Sequence, residues 1–236
     1  MTVWLKTTES TMKEAAAMAA RGEPHGTVVA ADRQTAGIGR HGHTWYSDSS
    51  GGLYFSIILR LSLTPDLLPI LTMALGLATL TAIDDIAGVA CDLRWPNDVL
   101  LNDRKVAGIM VQGEADAALI AGIGVNVNQS EFPAELRDIA TSLRRETKRE
   151  FSKETVLGRV VAESLKYAAL LAESGKCPIL DRFEKHSGYV NGKSVVVDAP
   201  GGEISGVTAG LDENGYLRVR TARGMETIVT GGVRPI

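Results

Sequence analysis

The chain has 236 residues, a formal net charge of −3 and 44% hydrophobic residues. That length suits one domain of roughly 150 to 190 residues plus a small module, and the near-balance of charge removes the basic face that nucleic acid or an anionic membrane would require. The two cysteines, Cys91 and Cys177, are far apart in sequence, which excludes a disulfide framework and a CxxC zinc site and suits a reducing cytoplasm.

The opening MTVWLKTTES has no basic segment followed by an apolar run, so it reads as neither a signal peptide nor a membrane span. A short strand is expected near residues 3–5, then a helix over about 12–21 that Gly22 stops. Thr11 and Glu14 have the spacing of a capping box. TVVAA is a strand, and the glycine-rich AADRQTAGIGRHGHTW follows it. GLYFSIILRL is β-branched and aromatic, as a buried strand is.

Residues 65–87 form a long apolar helix that threonines and Asp84–Asp85 make a core element rather than a membrane span. CDLRWPNDVLLNDRKVAGIMVQGE is a hairpin turned at Asn102–Asp103, and AALIAGIGVNVNQ is a further strand. The segment 152–173 carries Val156, Leu157, Val160, Val161, Leu165, Ala168 and Leu171 on one stripe and ends before Gly175, which makes an amphipathic helix. Strands and helices mix without βαβ alternation, so the fold class is α+β: a mixed sheet with helices on one face. After His186 only short β-like runs and NG, GG, ENG and RG turns remain. This divides the chain into 1–187 and a small β module over 188–236.

Three segments carry chemistry. In Gly37-Ile38-Gly39-Arg40-His41-Gly42, backbone amides freed by glycine, beside an arginine, make either an anion-binding loop or an ordinary hairpin connection. In RWPNDVLLNDRKVAG, residues 94–108, Asn97 and Asp98 are either a polar pair able to meet Mg²⁺ or a turn, and Lys105 is either functional or a solvated cation. In GIGVNVN, Asn126 and Asn128 interrupt an apolar strand. Each amide needs a ligand edge or a backbone partner, because leaving it unpaired would cost on the order of 1 to 3 kcal/mol.

Taken together, RQTAGIGRHGHTW, RWPNDVLLNDRKVAGIM and GIGVNVN resemble, in order, the biotin loop, the WPND segment with its catalytic lysine, and the asparagine strand of biotin protein ligases. The resemblance spans nearly the whole chain. It implies a class II synthetase-like catalytic domain over 1–187 and an SH3-like β-barrel over 188–236. It also implies a two-step reaction, in which biotin and ATP give biotinyl-5'-AMP and the biotinyl group then passes to a lysine of a biotin carboxyl carrier protein. Lys105 and Arg40 are the implied catalytic residues. Ser10, Thr11, Gln34, Gly37, Ile38, Gly39, Arg40, Lys105 and Gly108 are the implied biotin site, and Arg40, Trp45, Asn97, Lys105 and Asn126 the implied nucleotide site, with Asp98 on Mg²⁺.

Where the family loop often reads GRGRRG, this chain has Ile38 and His41, and Gln112 stands where a glutamate is common. The resemblance further implies a short form without an N-terminal DNA-binding domain. Such a protein would be cytoplasmic, a monomer or homodimer, with no specific DNA binding and no membrane partner. A lipoate protein ligase-like enzyme and a catalytically weak biotin-binding module are the alternative readings.

Overall fold

The structure, a computed structural model, describes residues 1–48, 50–114 and 118–236, with the backbone alone at His41. The larger sheet is built from β1 (Thr2–Leu5), β2 (Val28–Ala31), β3 (Gly52–Arg60), β4 (Asp92–Arg94), β5 (Asp98–Leu101), β6 (Arg104–Gly113) and β7 (Ala118–Asn126). Its spatial order is β1-β2-β3-β7-β6-β5-β4, with β1 and β2 parallel and the other pairs antiparallel. The expected mixed α+β sheet is therefore present. The hairpin between β5 and β6 turns at Asn102 and Asp103, both at positive φ (51° and 60°), as residues that tolerate the left-handed region allow.

Strand alternation gives the sheet two different faces. Leu53, Phe55, Ile57 and Leu59 of β3 join Leu119, Ala121, Ile123 and Val125 of β7 in the main core. That core is covered by α2 (Leu68–Ala87) and α4 (Lys153–Ser174), where Ser152 caps α4 by accepting from Thr155 N at 3.1 Å. The apolar span Pro65–Ala87 lies mostly inside the molecule, as a core helix does.

The opposite face carries α1 (Thr11–Ala20), whose Met12, Ala15, Met18 and Ala19 pack on Val29, Ile58, Ala118 and Ile120. The main helical layer thus lies on one face, and α1 is added on the other. The Thr11/Glu14 capping box does not form. Ser10 is the N-cap residue, Glu14 accepts the Thr8 hydroxyl at 2.8 Å, and Thr11 turns to Gln34 and Ser56.

Past α3 (Leu143–Thr147) and α5 (Cys177–His186), the C-terminal segment makes a second, antiparallel sheet. It contains β8 (Asn191–Ala199), β9 (Gly202–Leu211), β10 (Leu217–Thr221), β11 (Gly224–Ile228) and β12 (Gly232–Pro235), in the order β11-β10-β9-β8-β12. Two hydrogen bonds tie it directly to the rest of the molecule: Trp95 Nε1, between β4 and β5, donates to Gly215 O at 2.9 Å, and Leu211 N donates to Glu184 Oε1 of α5 at 2.7 Å. Val195, Val197, Leu217 and Val219 belong to the same continuous core as the large sheet.

Candidate active site

The face that carries α1 is left open beside that helix. There the strands present almost no side-chain bulk. On paired β6 and β7, Gly108 lies opposite Gly124 and Met110 opposite Gly122. Trp45 from the end of the glycine loop rests on this floor: a Cβ at Gly124 would come within 2.5 Å of its Cε2, and one at Gly108 within 2.7 Å of its Cζ3. The cavity above has a volume of about 470 Å³, within the range of small-molecule sites.

Its walls collect residues from distant parts of the chain. Ser10, Thr11 and Gln34 form one end. Ile38, Gly39, Arg40 and Trp45 come from the glycine loop, and Asn97, Asp98, Lys105 and Gly108 from the β4–β6 region. Gln34 Oε1 accepts both the Thr11 amide (2.8 Å) and the Thr11 hydroxyl (3.1 Å), so the helix start is fixed to the loop. Ser10 Oγ is buried without a hydrogen-bond partner among the described residues, which leaves a polar group for a ligand to satisfy.

The charged centre is compact. The Asp98 carboxylate is 14% exposed, with Lys105 Nζ 2.5 Å from Oδ1 and Arg94 Nη2 2.7 Å from Oδ2. Burial pushes the Asp98 pKa up, but Lys105 and Arg94 outweigh it and hold the group below the ordinary carboxylate value. Lys105 Nζ also lies 5.1 Å from the centre of the Trp45 ring. No group of three His, Cys, Asp or Glu side chains able to hold a metal occurs among the described residues. Arg40 spans the cavity mouth: Nη1 donates to Asn97 Oδ1 at 3.2 Å and Nη2 to Thr230 Oγ1 at 3.3 Å. Burial lowers its pKa from the ordinary value, and Asp98 works against that shift.

The chain that builds this cavity has counterparts among known proteins. The Biotin/lipoate A/B protein ligase family matches residues 4–129, and the Biotin protein ligase C terminal domain matches residues 191–233. The bifunctional ligase/repressor BirA of Bacillus subtilis is 33% identical over 230 residues, covering 95% of this chain and 70% of that protein. The biotin--[acetyl-CoA-carboxylase] ligase of Mycobacterium tuberculosis is 30% identical, covering 95% of this chain and 85% of that one. The solved structure of the Aquifex aeolicus biotin protein ligase in complex with biotin and ATP superposes with a TM-score of 0.89 at 33% identity, covering 100% of this chain and 99% of that one.

The chain belongs to the biotin protein ligase family. The ligase is an ATP-dependent enzyme, and its C-terminal match places it on the biotin side of a family that also includes lipoate ligases. Two residues expected in its site do not reach the cavity wall. Gly37 lies behind it, where a Cβ would meet Ser47 Oγ at 2.5 Å and Trp45 O at 2.6 Å. Asn126 spends its amide internally, donating to Lys105 O at 3.3 Å and accepting from Gln129 Nε2 at 3.1 Å. Asn128 likewise bonds the Phe151 backbone, at 2.8 Å and 3.0 Å. The His41 side chain lies outside the described residues.

Sequence reasoning missed Gly122 and Gly124, whose period of two on one strand face was the available signal. It also missed the wall that the second sheet supplies through Asp198, Pro200 and Thr230. Nothing local in sequence marks those three, since the glycine-loop residues that share the cavity with them lie over 150 residues away.

Proposed function

We propose that this cavity is where the ligase joins the biotin carboxylate to the α-phosphate of ATP, and from which biotin passes to a lysine of a biotin carboxyl carrier domain. The observation that carries this reading is Lys105, a cation held by Asp98 inside a cavity whose floor is glycine. Two anionic reactants repel as they meet. A cation fixed between them offsets that repulsion and stabilises charge building on the phosphoryl oxygens.

The biotin carboxylate oxygen attacks the α-phosphorus and pyrophosphate departs. In the second step the acceptor amine attacks the carbonyl carbon of the mixed anhydride, AMP leaves and the amine sheds a proton. Ser10, with its free hydroxyl, is the group we assign to the polar ring of biotin. Thr11, Gln34 and Gly37 shape that end, while Ile38, Gly39 and Gly108 line the cavity. Trp45 and Asn97 are assigned to the nucleotide. Asn126 supports it from behind, through the Lys105 carbonyl. Arg40 closes the loop over the intermediate, which water would otherwise hydrolyse.

Both Asp98 oxygens already face cations, and among the described residues no second carboxylate stands beside it in a metal cluster. The donor set fits Mg²⁺ that arrives with the nucleotide and draws most of its oxygen ligands from phosphate and water. Such an ion would supply charge neutralisation on the phosphates. Residues 1–187 form the catalytic unit in this reading and residues 188–236 its β module.

In that module Arg234 is spent on Asp198 (2.8 Å) and Glu203 (2.6 Å), which leaves no continuous basic stripe and supports the absence of specific DNA binding. The free thiols of Cys91 and Cys177 suit a cytoplasmic enzyme, acting as a monomer or homodimer. The test is incubation with biotin, Mg²⁺ and ATP labelled at the α-phosphate. Label should appear in biotinyl-5'-AMP, and biotin should then appear on a carrier-domain lysine. Adenylation of lipoate and not of biotin would overturn the assignment.

A further inference from the structure

Arg40 is held from two sides. Asn97 can offer it only an oxygen, because the Asn97 Nδ2 donates to Ile109 O at 3.0 Å and so fixes which way the amide faces. The other side is Thr230, which stands at the entrance to β12 in the second sheet, 190 residues further along the chain. Thr230 is followed by Gly231, where a Cβ would come within 2.6 Å of Asp198 O, so the backbone presses against β8 as only glycine can. That close approach brings the threonine to the cavity mouth.

The loop meets the module a second time. His43, three residues beyond Arg40, lines the same cavity as Asp198, whose carboxyl is held below its ordinary pKa by the Arg234 hydrogen bond and, to a smaller extent, by His43. The loop is itself folded, with Gly39 N donating to His43 O at 2.7 Å across a 3₁₀ turn over Arg40–Gly42. The module in turn is tied to the segment that carries Asn97, through Trp95 Nε1 on Gly215 O. Module, WPND segment and loop therefore close a ring of contacts in which Arg40 is the shared member.

We propose that Thr230 is a positioning residue: its hydroxyl fixes the Arg40 guanidinium across the cavity mouth, so that the second sheet, and not the glycine loop alone, governs retention of the activated intermediate. This rests on the reading of Arg40 as the closing residue. A guanidinium withdrawn from water needs an acceptor for each N–H it turns inward, and hydrogen bonds to charged groups are among the stronger ones in proteins. Thr230 supplies the acceptor for Nη2 that the loop's own backbone does not.

The experiment follows biotinyl-5'-AMP made from biotin, Mg²⁺ and ATP by the full-length chain, scored as the ratio of intermediate released into solution to biotin delivered to the carrier lysine. Thr230→Val, which keeps the shape and removes the hydroxyl, should raise that ratio about tenfold. Thr230→Ser should restore it. Arg40→Gly should raise the ratio as well, and adding Thr230→Val to Arg40→Gly should raise it no further, since the Arg40–Thr230 hydrogen bond is then already gone.

A plain loss of stability would lower release and delivery together and leave the ratio unmoved, which would overturn the proposal. So would additivity of the two substitutions. If Arg40→Gly raises release and Thr230→Val does not, the latch is wrong and the closing role of Arg40 stands. If Arg40→Gly itself releases nothing, the closing role is wrong.

Discussion

Ile123 and Gly124 are adjacent on β7 and face opposite layers. Ile123 is buried under α2 and α4 with Ala121 and Val125, whereas Gly124 and Gly122 face Trp45 and Met12 on the side where the cavity opens. One strand thus serves two purposes by alternation. From Ala121 to Val125 the bulky side chains of this strand lie on one face, and the cavity face carries only Gly122 and Gly124, beyond the smaller core that α1 makes with Ala118 and Ile120. Substitutions on the two faces should consequently fail in different ways.

The largest effect is expected at the cavity. Lys105→Ala should slow adenylate formation by roughly 100- to 1000-fold, the loss of a transition-state charge contact worth about 2.7 to 4 kcal/mol. Because Lys105 also faces the 14%-exposed Asp98 carboxylate, which keeps Arg94 as its other partner, the thermal midpoint should fall modestly as well. Single-turnover kinetics and calorimetric unfolding on one preparation check both halves, and unaltered kinetics would return Lys105 to the role of a surface cation.

Next comes Gly124→Ala. The new Cβ would lie 2.5 Å from Trp45, and the indole can escape only upward into the cavity. The overpacking cost, on the order of 1 to 3 kcal/mol, should therefore appear mainly as weaker biotin and nucleotide binding by titration calorimetry. A variant that lost stability and bound normally would contradict the division of labour between the faces.

Ile123→Val, one residue away, should do the reverse. It should cost about 0.5 to 1.5 kcal/mol of unfolding free energy, with adenylation kinetics unaltered. Denaturant titration measures the first and the labelled-ATP assay the second.

The smallest effect lies off both faces. Glu146 is 11% exposed and joins α3 to the β5–β6 hairpin through Arg104 at 2.7 Å and Asn102 at 2.5 Å. Burial raises its pKa, but Thr141, Asn102 and Arg104 together bring it below the ordinary value. A depressed carboxylate contributes stability that is complete above its unfolded pKa, about 4.3, and is lost as pH falls through the folded value. Glu146→Gln should cost a few tenths to about 1 kcal/mol at neutral pH and flatten the acid side of the stability profile below about pH 4.3. An unchanged acid limb would show that the contact does not titrate.

Most of the scaffold was legible because it obeys local rules. The β-branched run of β3, the helical stripe of α4 and the turn at Asn102–Asp103 each declare themselves within about ten residues. The motif residues Arg40, Asn97, Asp98 and Lys105 were legible as a set through resemblance, and folding does bring them to one cavity.

What was not legible depends on long-range packing. The side of the sheet that α1 covers is decided by which residues of β2, β3 and β7 alternate inward, and α1 itself carries no mark of it. Asn126, at the end of β7, and Asn128, just past it, drew attention as polar residues in an apolar stretch, yet both amides are satisfied within the protein. The functional signal on that strand was the absence of side chains at Gly122 and Gly124. The short α3 lies in an otherwise irregular stretch, after a 3₁₀ turn at Ala134–Leu136.

Trp45 ends the glycine loop with its indole on the sheet and the Lys105 ammonium 5.1 Å from the ring centre. The chain's other two indoles are tethered elsewhere, Trp4 to Asp32 at 3.2 Å and Trp95 to Gly215 at 2.9 Å. The loop therefore carries its own chromophore against a stationary background. A charge so near an indole shifts its emission, so a loop movement on adding biotin and ATP would register as a change of intrinsic fluorescence in stopped flow. No dye is required, and no residue of the site has to be altered to watch it work.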